Sequence, residues 1–541
     1  MKKLALLFTI LFLAAFLRFW RLGEVPPSPD WDEAALGYNA YSLLKTGKDE
    51  YGTRWPLTLR SYDDYKPPLY AYLTIPSIKL FGLSTFAVRV PAAVIGTLGV
   101  LGTYFLTRAL TNNISLSFIA MFLLAISPWH IQFSRIAFEA NIGVTLNIWG
   151  IYFLLKSLQN GRWMPLAAGI LGFGFYAYHS ERVFLPLLML LLFFIYRKEF
   201  FSQWKFLLTS LVVGFIIVGP LIPVVFGKDG LTRLQGTSTL SDQTGLLARS
   251  VSRLETDIKQ GDYLGVIWEN RRLVYIKTMA DGYLSHFSLK WLFLTGDNDR
   301  HHAPDVGLMY LWELPFLLYG MVVVAKRDGK LKTFLFGWLL IAPIAASPTS
   351  ETPHAIRTLV TLPLVQIFTA FGLFGIYKHF IDATKKIKIP LRLFVLFGVG
   401  LYSLFIVCTI GYYVDMYFGH TNREYSKFWQ YGYKQAVEYT ESHKNKYKKI
   451  VVSTKLEQPH MFYLFFMKYD PIMYLKEGGT ASGGFAEVRN KFDIYEFRPI
   501  NWANELHDGS ILYVGTPREI NTDPIYRISY LDGFEAIRIA E

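Results

Sequence analysis

The chain has 541 residues, 52% hydrophobic and 17% aromatic but only 18% charged. A soluble chain carries about a quarter charged residues, so an ordinary soluble enzyme is excluded. The single cysteine, Cys408, excludes a disulfide framework, a zinc ribbon and CxxC chemistry. A net charge of +13 would suggest nucleic acid in a soluble chain; beside long apolar runs it fits cytoplasmic anchors and anionic headgroups, and no nucleic-acid partner is expected.

Met1-Lys2-Lys3 and the apolar run behind it resemble a signal peptide. Arg18 and Trp20 follow with no small-residue cleavage site, so the segment reads as a retained first helix. Apolar segments near 3–20, 86–108, 115–132, 140–157, 163–178, 183–196, 206–226, 306–325, 331–347, 355–377 and 391–413 predict about eleven membrane-spanning helices. With Lys2 and Lys3 in the cytoplasm, the same side receives Arg108, Lys156, Arg162, Arg197, Lys198 and Lys205. It also receives Lys326, Arg327, Lys330, Lys332, Lys378, Lys385, Lys386, Lys388 and Arg392. The short loops opposite hold Arg135, Arg182 and Arg357, which is the positive-inside pattern. The expected fold class is therefore an α-helical polytopic membrane protein. Residues 1–415 form the membrane domain, with outer loops 21–85 and 227–305, and 416–541 form a soluble extracytoplasmic domain. In that last part KKIVVST and SILYVGT read as strands, EYSKFWQYGYKQAVEYTESH as a helix, and DPIYRISYLDGFEAIRIA as a strand pair turning at Asp532-Gly533, giving a mixed α/β unit.

The first outer loop opens with PPSPDWDEAALGY. Asp30 three residues before Glu33 is a capping pattern, and Asp32 lies in the first turn without being needed for the cap. Further on, Lys66 precedes Pro67-Pro68, which bias it toward an extended conformation beside acidic residues, where it is suited to a phosphate. Arg135 and Glu139, four apart, suit either a helix-face pair or a second acidic group facing the first loop. His179, Glu181 and Arg182 sit between two spans, as do His354 and Arg357. Arginines at this depth face polar cavities or act as interfacial anchors. The long loop supplies His286, Asp297, Asp299, Arg300, His301 and His302; the spacing matches no metal motif, so no resident metal is expected. Every one of these clusters falls on the outer face, which points to an anionic substrate that itself resides in the membrane.

In this order and topology the residues resemble the GT-C class of lipid-carrier-dependent glycosyltransferases. The nearest group is the protein O-mannosyltransferase-like one, glycosyltransferase family 39, whose core the lipid A aminoarabinose transferases share. The resemblance covers about 1–415. It rests on Asp32-Glu33 after the first span, Lys66-Pro67, Arg89-Val90-Pro91, Glu139 before the fourth span, and the HFSLKWLFLTGDNDRHHAPD and TPHAIRTLVTLP stretches. It implies an inverting enzyme using a polyprenyl-phosphate-linked sugar, with Asp32 as the catalytic base and Lys66 on the carrier phosphate. The second acidic position, aspartate in most relatives, is Glu139 here. Some relatives use a divalent metal.

The catalytic candidates are Asp32, Glu33 and Glu139, and the phosphate-binding candidates are Lys66, Arg182 and Arg357. Asp30, Arg135, His179, His286, Asp297, Arg300, His301 and His354 are candidates for the substrate pocket. The expected partners are the lipid-linked donor, membrane lipids, and a hydroxyl acceptor on lipid, polysaccharide or protein. A flippase of lipid-linked saccharides and a non-catalytic membrane scaffold are the alternatives; the absence of an internal repeat and the loop location of the charges favour the enzyme.

Overall fold

Each expected span contains a helical stretch in the computed structural model, which describes residues 1–541 except 63, 226, 228–242, 328, 385–388 and 482–489. Helix α1 (Lys2–Phe19) leads into a first loop holding α2 (Trp31–Thr46), the hairpin β1 (Leu59–Ser61) and β2 (Asp64–Lys66), and α3 (Leu69–Phe81). Then come α4 (Thr85–Thr111), α5 (Ile114–Ile126), α6 (Pro128–Phe133), α7 (Ala140–Ser157), α8 (Met164–Gly174), α9 (Glu181–Ser202) and α10 (Trp204–Val218). Helices Glu313–Ala325, Lys330–Ile341, Leu364–Thr384 and Ile389–Asp415 complete the bundle. Four stretches, Thr85–Thr111, Trp204–Val225, Leu359–Phe380 and Val395–Glu424, are long and apolar enough to cross a membrane by length and composition alone. Local chemistry sets the boundaries. The Ser84 and Asn113 side chains cap α4 and α5, and Asn112 turns between them in the left-handed region at φ 51°. The expected cytoplasmic anchors Lys385, Lys386 and Lys388 lie outside the described residues.

Three apolar runs depart from expectation. The run expected to span from 306 becomes helical only at Glu313. Before that, Leu308 and Met309 are buried in irregular chain, with Met309 N–H donating to Leu292 O at 2.8 Å and Trp129 N–H to Leu308 O at 3.0 Å. The run from 355 is irregular until a single 3-10 turn at Leu359–Thr361, with α-helix from Leu364, and α8 stops at Gly174. These residues are apolar because protein surrounds them, a burial that hydropathy does not separate from lipid.

Arg18, Arg89 and Arg135 are wholly buried; Arg89 and Arg135 tie the first loop to the bundle, and Arg18 ties α1 to α5. Arg89 grips Glu33 with two hydrogen bonds, Nε to Oε1 at 2.8 Å and Nη2 to Oε2 at 2.7 Å. Its remaining hydrogens go to the carbonyls of Leu22, Pro26 and Ser28. Arg135 donates to the carbonyls of Leu17, Arg18 and Val25, with its guanidinium 4.8 Å from the Phe418 ring centre. Arg18 donates to Ala14, Ala125 and Leu124. Every donor of Arg89 is paired, which makes its burial tolerable, whereas Arg18 Nε and Arg135 Nε have no partner among the described residues.

The C-terminal part carries a six-stranded sheet in the order β4-β5-β3-β6-β8-β7, with β3 (Lys449–Val452), β4 (Lys491–Phe492), β5 (Tyr495–Phe497), β6 (Ile511–Gly515), β7 (Tyr526–Ser529) and β8 (Glu535–Ala540). Strands β5, β3 and β6 run parallel and the others antiparallel. The hairpin at Asp532-Gly533 is present, with Gly533 at φ 95°. The helix expected over EYSKFWQYGYKQAVEYTESH is instead broken. It ends at Glu424 and restarts as Tyr433–His443, because Gln430 and Gly432 take φ of 43° and 114° between the two halves.

One hydrophobic core fills the bundle. A second joins Ala34, Leu36, Tyr38, Tyr70 and Val88 to Tyr433, Phe462, Phe465 and Ile537, so α2 is clamped between the bundle and the C-terminal part. Gly37 marks the closest approach: a Cβ there would meet Val88 Cγ2 at 2.6 Å and Phe465 Cε2 at 2.7 Å. Thr480 donates to Glu50 from both its backbone and its hydroxyl, at 3.0 and 2.6 Å.

Arg89→Met strands the Glu33 carboxylate in the interior, and breaking a buried pair in this way costs about 3–5 kcal/mol. We expect a lower melting temperature for that variant in detergent and recovery of most of the loss in Glu33→Met/Arg89→Met. A single variant as stable as the parent would show that the pair does not hold the loop.

Candidate active site

The N-terminus of α2 sorts three neighbouring acids into different environments. Asp30 Oδ1 accepts from Glu33 N–H at 2.9 Å and Asp30 N–H reaches Glu33 Oε2 at 3.4 Å, a complete capping box. Glu33 is fully buried on Arg89 and also accepts Ala137 N–H at 2.7 Å. This corrects its placement among the catalytic candidates: all its acceptor capacity faces protein. Asp32, on the other side of the turn, is 30% exposed and faces a cavity of about 240 Å³.

Lys66, the last residue of β2, comes to Asp32 from across the first loop. The hairpin register sets Leu59 opposite Lys66, and Pro67-Pro68 then turn the chain into α3. Its ammonium donates to Asp32 Oδ1. Burial works to lower the Lys66 pKa, but the carboxylates of Asp32 and Glu139 outweigh it and hold the ammonium above its ordinary range. Glu139 closes the same cavity from the start of α7 and is 7% exposed, with Oε1 unpartnered among the described residues. Burial pushes its carboxyl up to about 7, opposed by Lys66 and reinforced by Asp32. Arg135, four residues earlier, does not pair with it; its donors are on backbone carbonyls, away from the cavity.

The opposite wall comes from distant chain. Arg300 reaches Asp30 Oδ2 at 3.2 Å, with its guanidinium 4.4 Å from the Trp31 ring centre. Asp30 itself is buried behind that contact, and burial and the Asp32 charge push its carboxyl up to about 7. Arg357 lines the cavity and donates to Thr349 Oγ1 and Ser350 O, both at 2.6 Å. His179 lines it too; burial and the adjacent Arg182 push its imidazole down to about 3. Arg182 stands behind, directed at Phe175 O and at His179 Nδ1 at 3.2 Å, so it supports the wall and does not line it.

Asp297 accepts from His301 Nδ1 at 2.6 Å and from Ala355 N–H at 2.8 Å, with His354 Nδ1 3.7 Å away. Burial tends to raise its carboxyl, but the His301 hydrogen bond and the nearby imidazole hold it below the ordinary range. Burial holds both imidazoles below their ordinary range, His354 down to about 2 with help from His301 and Arg357. One ligand atom from each of Asp297, His301 and His354 lies within 4.8 Å of the others, so these three could hold a divalent cation; the same geometry also closes on hydrogen bonds alone. His286 sits behind them: its Nδ1 donates to Gly282 O at 2.7 Å and its Nε2 accepts His354 N–H at 3.1 Å, a staple between two loops.

The fold thus brings Asp32, Lys66, Glu139, His179, Arg300, His301, His354 and Arg357 to one cavity, with Asp297 immediately behind. It leaves Asp30, Glu33, Arg135, Arg182 and His286 as supports. Asp64, Tyr178, Asn298 and Glu351 also line the cavity and were not singled out by sequence reasoning, although all four lie inside the segments that were. Three cations around a cleft with a half-exposed carboxylate can hold a phosphate and accept a proton beside it.

The raised Glu139 carboxyl sets a sign for stability. The folded chain binds that proton more tightly than the unfolded chain, so the contribution is full below about pH 4.5 and is lost as the pH rises through about 7. The melting temperature of Glu139→Gln, relative to the parent, is expected to climb across that window and level off above it. A flat difference would contradict the raised carboxyl.

A family model described as dolichyl-phosphate-mannose-protein mannosyltransferase matches residues 65–223, the stretch carrying Lys66, Glu139 and His179. No curated protein matches the chain in sequence. ArnT from Cupriavidus metallidurans, crystallised bound to undecaprenyl phosphate, matches at TM-score 0.55 and 12% identity, over 99% of this chain and 97% of that one. The Archaeoglobus fulgidus oligosaccharyltransferase tethered with an acceptor peptide matches at TM-score 0.52 and 13% identity, over 86% of this chain. The chain spans 63% of that enzyme's length. Archaeal AglB from the same organism, in complex with an inhibitory peptide and a dolichol-phosphate, matches at TM-score 0.51 and 11% identity, over 95% and 69% of the two chains. At such identities the likeness to solved structures is one of fold. The chain therefore has the GT-C membrane fold and is similar, over the segment that supplies six of the residues lining its polar cavity, to the dolichyl-phosphate-mannose-protein mannosyltransferase family.

Proposed function

We propose that the chain is an inverting glycosyltransferase that moves a sugar from a polyprenyl-phosphate carrier to a hydroxyl acceptor on the outer face of the membrane. The observation that carries this reading is the Lys66–Asp32 pair at the mouth of a cavity whose far wall holds Arg300 and Arg357. An apolar cavity of about 220 Å³, bounded by His286, Trp291, Leu317, Phe368 and by Thr358, the residue after Arg357 of the polar one, suits the first units of a lipid chain. The family match over 65–223 and the fold shared with a protein crystallised on undecaprenyl phosphate support a lipid-phosphate donor.

In this reading a donor phosphate competes with Asp32 for Lys66. Without donor, Lys66 neutralises Asp32 and weakens it as a base. Once Lys66 turns to the phosphate, Asp32 is free to take the proton of the acceptor hydroxyl as that oxygen attacks the anomeric carbon. The sugar–phosphate bond breaks, and the leaving phosphate keeps the bonding electrons, its charge met by Lys66 and Arg357. The displacement inverts the anomeric centre and needs no covalent intermediate. The topology that goes with this is about eleven spans, a cytoplasmic N-terminus, a catalytic region over 1–415 and an extracytoplasmic region over 416–541.

In liposomes supplied with a polyprenyl-phosphate-linked sugar, Asp32→Asn is expected to lower transfer by about 10²–10⁴-fold while retaining affinity for polyprenyl phosphate. Lys66→Ala is expected to weaken that affinity by about 10–100-fold through loss of a charged hydrogen bond. Near-normal turnover in the first variant would remove Asp32 from the chemistry. Unchanged affinity in the second would remove Lys66 from the phosphate.

A further inference from the structure

The C-terminal sheet carries a crevice of its own, with a volume of about 1050 Å³. Strand β3 lies between β5 and β6, so the chain leaves β3 toward one side and later returns on the other. The gap between the carboxyl ends of β3 and β6 is therefore a topological switch point, where open α/β sheets take their ligands. The crevice is lined there by Lys455, Leu456 and Glu457, which follow β3, and by Thr516–Glu519, which follow β6. Its other wall is the β7–β8 hairpin and the segment around Gln430.

Two further observations mark this crevice as built for a ligand. Gln430, Glu457 and Gln458 all take positive φ, at 43°, 66° and 53°, although none is glycine. Such strain persists only where surrounding structure holds it and clusters at functional sites; at Glu457 the single Tyr433 hydroxyl hydrogen is shared between Leu456 O at 2.5 Å and Glu457 O at 2.9 Å. Gln430, which lines the crevice, is 8% exposed, and its Oε1 has no hydrogen-bond partner among the described residues.

The lining chemistry selects the ligand class. Lys427, Lys455 and Arg518 line it with Glu457, Glu519, Asp532 and Glu535, and Arg538, bidentate on Glu535, brings the cations level with the acids, so the crevice offers no net charge to hold an ion. The turn after β3 reads Ser453-Thr454-Lys455-Leu456-Glu457, without the glycines that cradle phosphate. The crevice opens at strand ends and not along an edge strand, so it offers no ladder for an extended peptide. What remains is a cleft of amide, carboxylate and ammonium groups beside aromatic faces, Tyr431, Tyr530 and Phe534, the last 74% exposed. Stacking faces flanked by hydrogen-bonding side chains suit sugar rings.

We propose that this crevice binds a neutral oligosaccharide and that this glycan is the acceptor of the transfer reaction; the second half rests on the function proposed above. The crevice is also coupled to the reaction side. Trp429, directly before Gln430, lies with its ring 5.7 Å from the Arg89 guanidinium that fixes Glu33 beside Asp32.

The test uses the full chain in nanodiscs and a panel of short neutral manno-, chito- and gluco-oligosaccharides. At least one is expected to bind, with affinity lowered about tenfold by Phe534→Ala, the loss of one aromatic stacking face. Glu457→Gln, at an exposed position, is expected to weaken binding in the same direction, and Asp32→Asn to leave it unchanged. Binding of none of the panel, binding insensitive to both crevice variants, or preference for a peptide or an anionic glycan would overturn the proposal. Donor consumption separates the two readings. If the donor is consumed but no panel glycan binds, the crevice proposal alone falls. If a glycan binds through Phe534 but the donor is never consumed, the glycosyltransferase reading falls and only the acceptor role goes with it.

Discussion

The buried pair between Arg89 and Glu33 is the constraint on which the rest of the arrangement depends. Two full charges removed from water are costly unless the geometry is complete, and here it is: every described hydrogen bond of the guanidinium ends on Glu33 or on a carbonyl of the first loop. The pair fixes the first turn of α2 against α4. That turn, capped by Asp30, directs Asp32 outward into the cavity while Glu33 points inward. Trp429 covers the guanidinium from the C-terminal side, so the same contact also registers the sheet-bearing part against the bundle.

Around this anchor, electrostatics does the sorting. Lys66 lies within reach of Asp32 and Glu139, and two carboxylates keep one ammonium firmly protonated. The buried Glu139, with its carboxyl near 7, limits how much negative charge the cavity holds at neutral pH. The histidines on the far wall are kept neutral by burial and by neighbouring arginines, which leaves Arg300, Arg357 and Lys66 as the positive charge available to an anion. Such a site is incomplete until an anion arrives: the Lys66–Asp32 contact satisfies both groups in its absence and is the contact an incoming phosphate would replace.

Much of the fold was legible because local chemistry and tertiary structure agree. The Asp30–Glu33 capping box and the strand pair at Asp532-Gly533 both follow from short-range signals that the structure leaves in place. The apolar runs at 306–312 and 355–358 misled because hydropathy measures escape from water, and protein offers that as well as lipid does. The helix expected over 424–443 breaks because Gln430 is held at positive φ by its surroundings, which no propensity encodes. Within the site, Lys66 beside two prolines and Asp32 beyond the needs of the cap carried visible signals. The different fates of Asp32 and Glu33 did not, since adjacent residues in a helical turn diverge according to what lies on each side. Nor did spacing reveal the meeting of Asp297 and His301 with His354, which two loops bring together across 53 residues of chain.

The central claim is that one headgroup phosphate is held by Lys66 next to a proton-accepting Asp32. The most direct measurement is a structure of the full chain in nanodiscs with polyprenyl phosphate bound. The account predicts the phosphate in hydrogen-bond contact with the Lys66 ammonium and the Arg357 guanidinium, and the Asp32 carboxylate released from Lys66. A phosphate seated elsewhere, or a Lys66 still paired with Asp32 in the loaded protein, would contradict it.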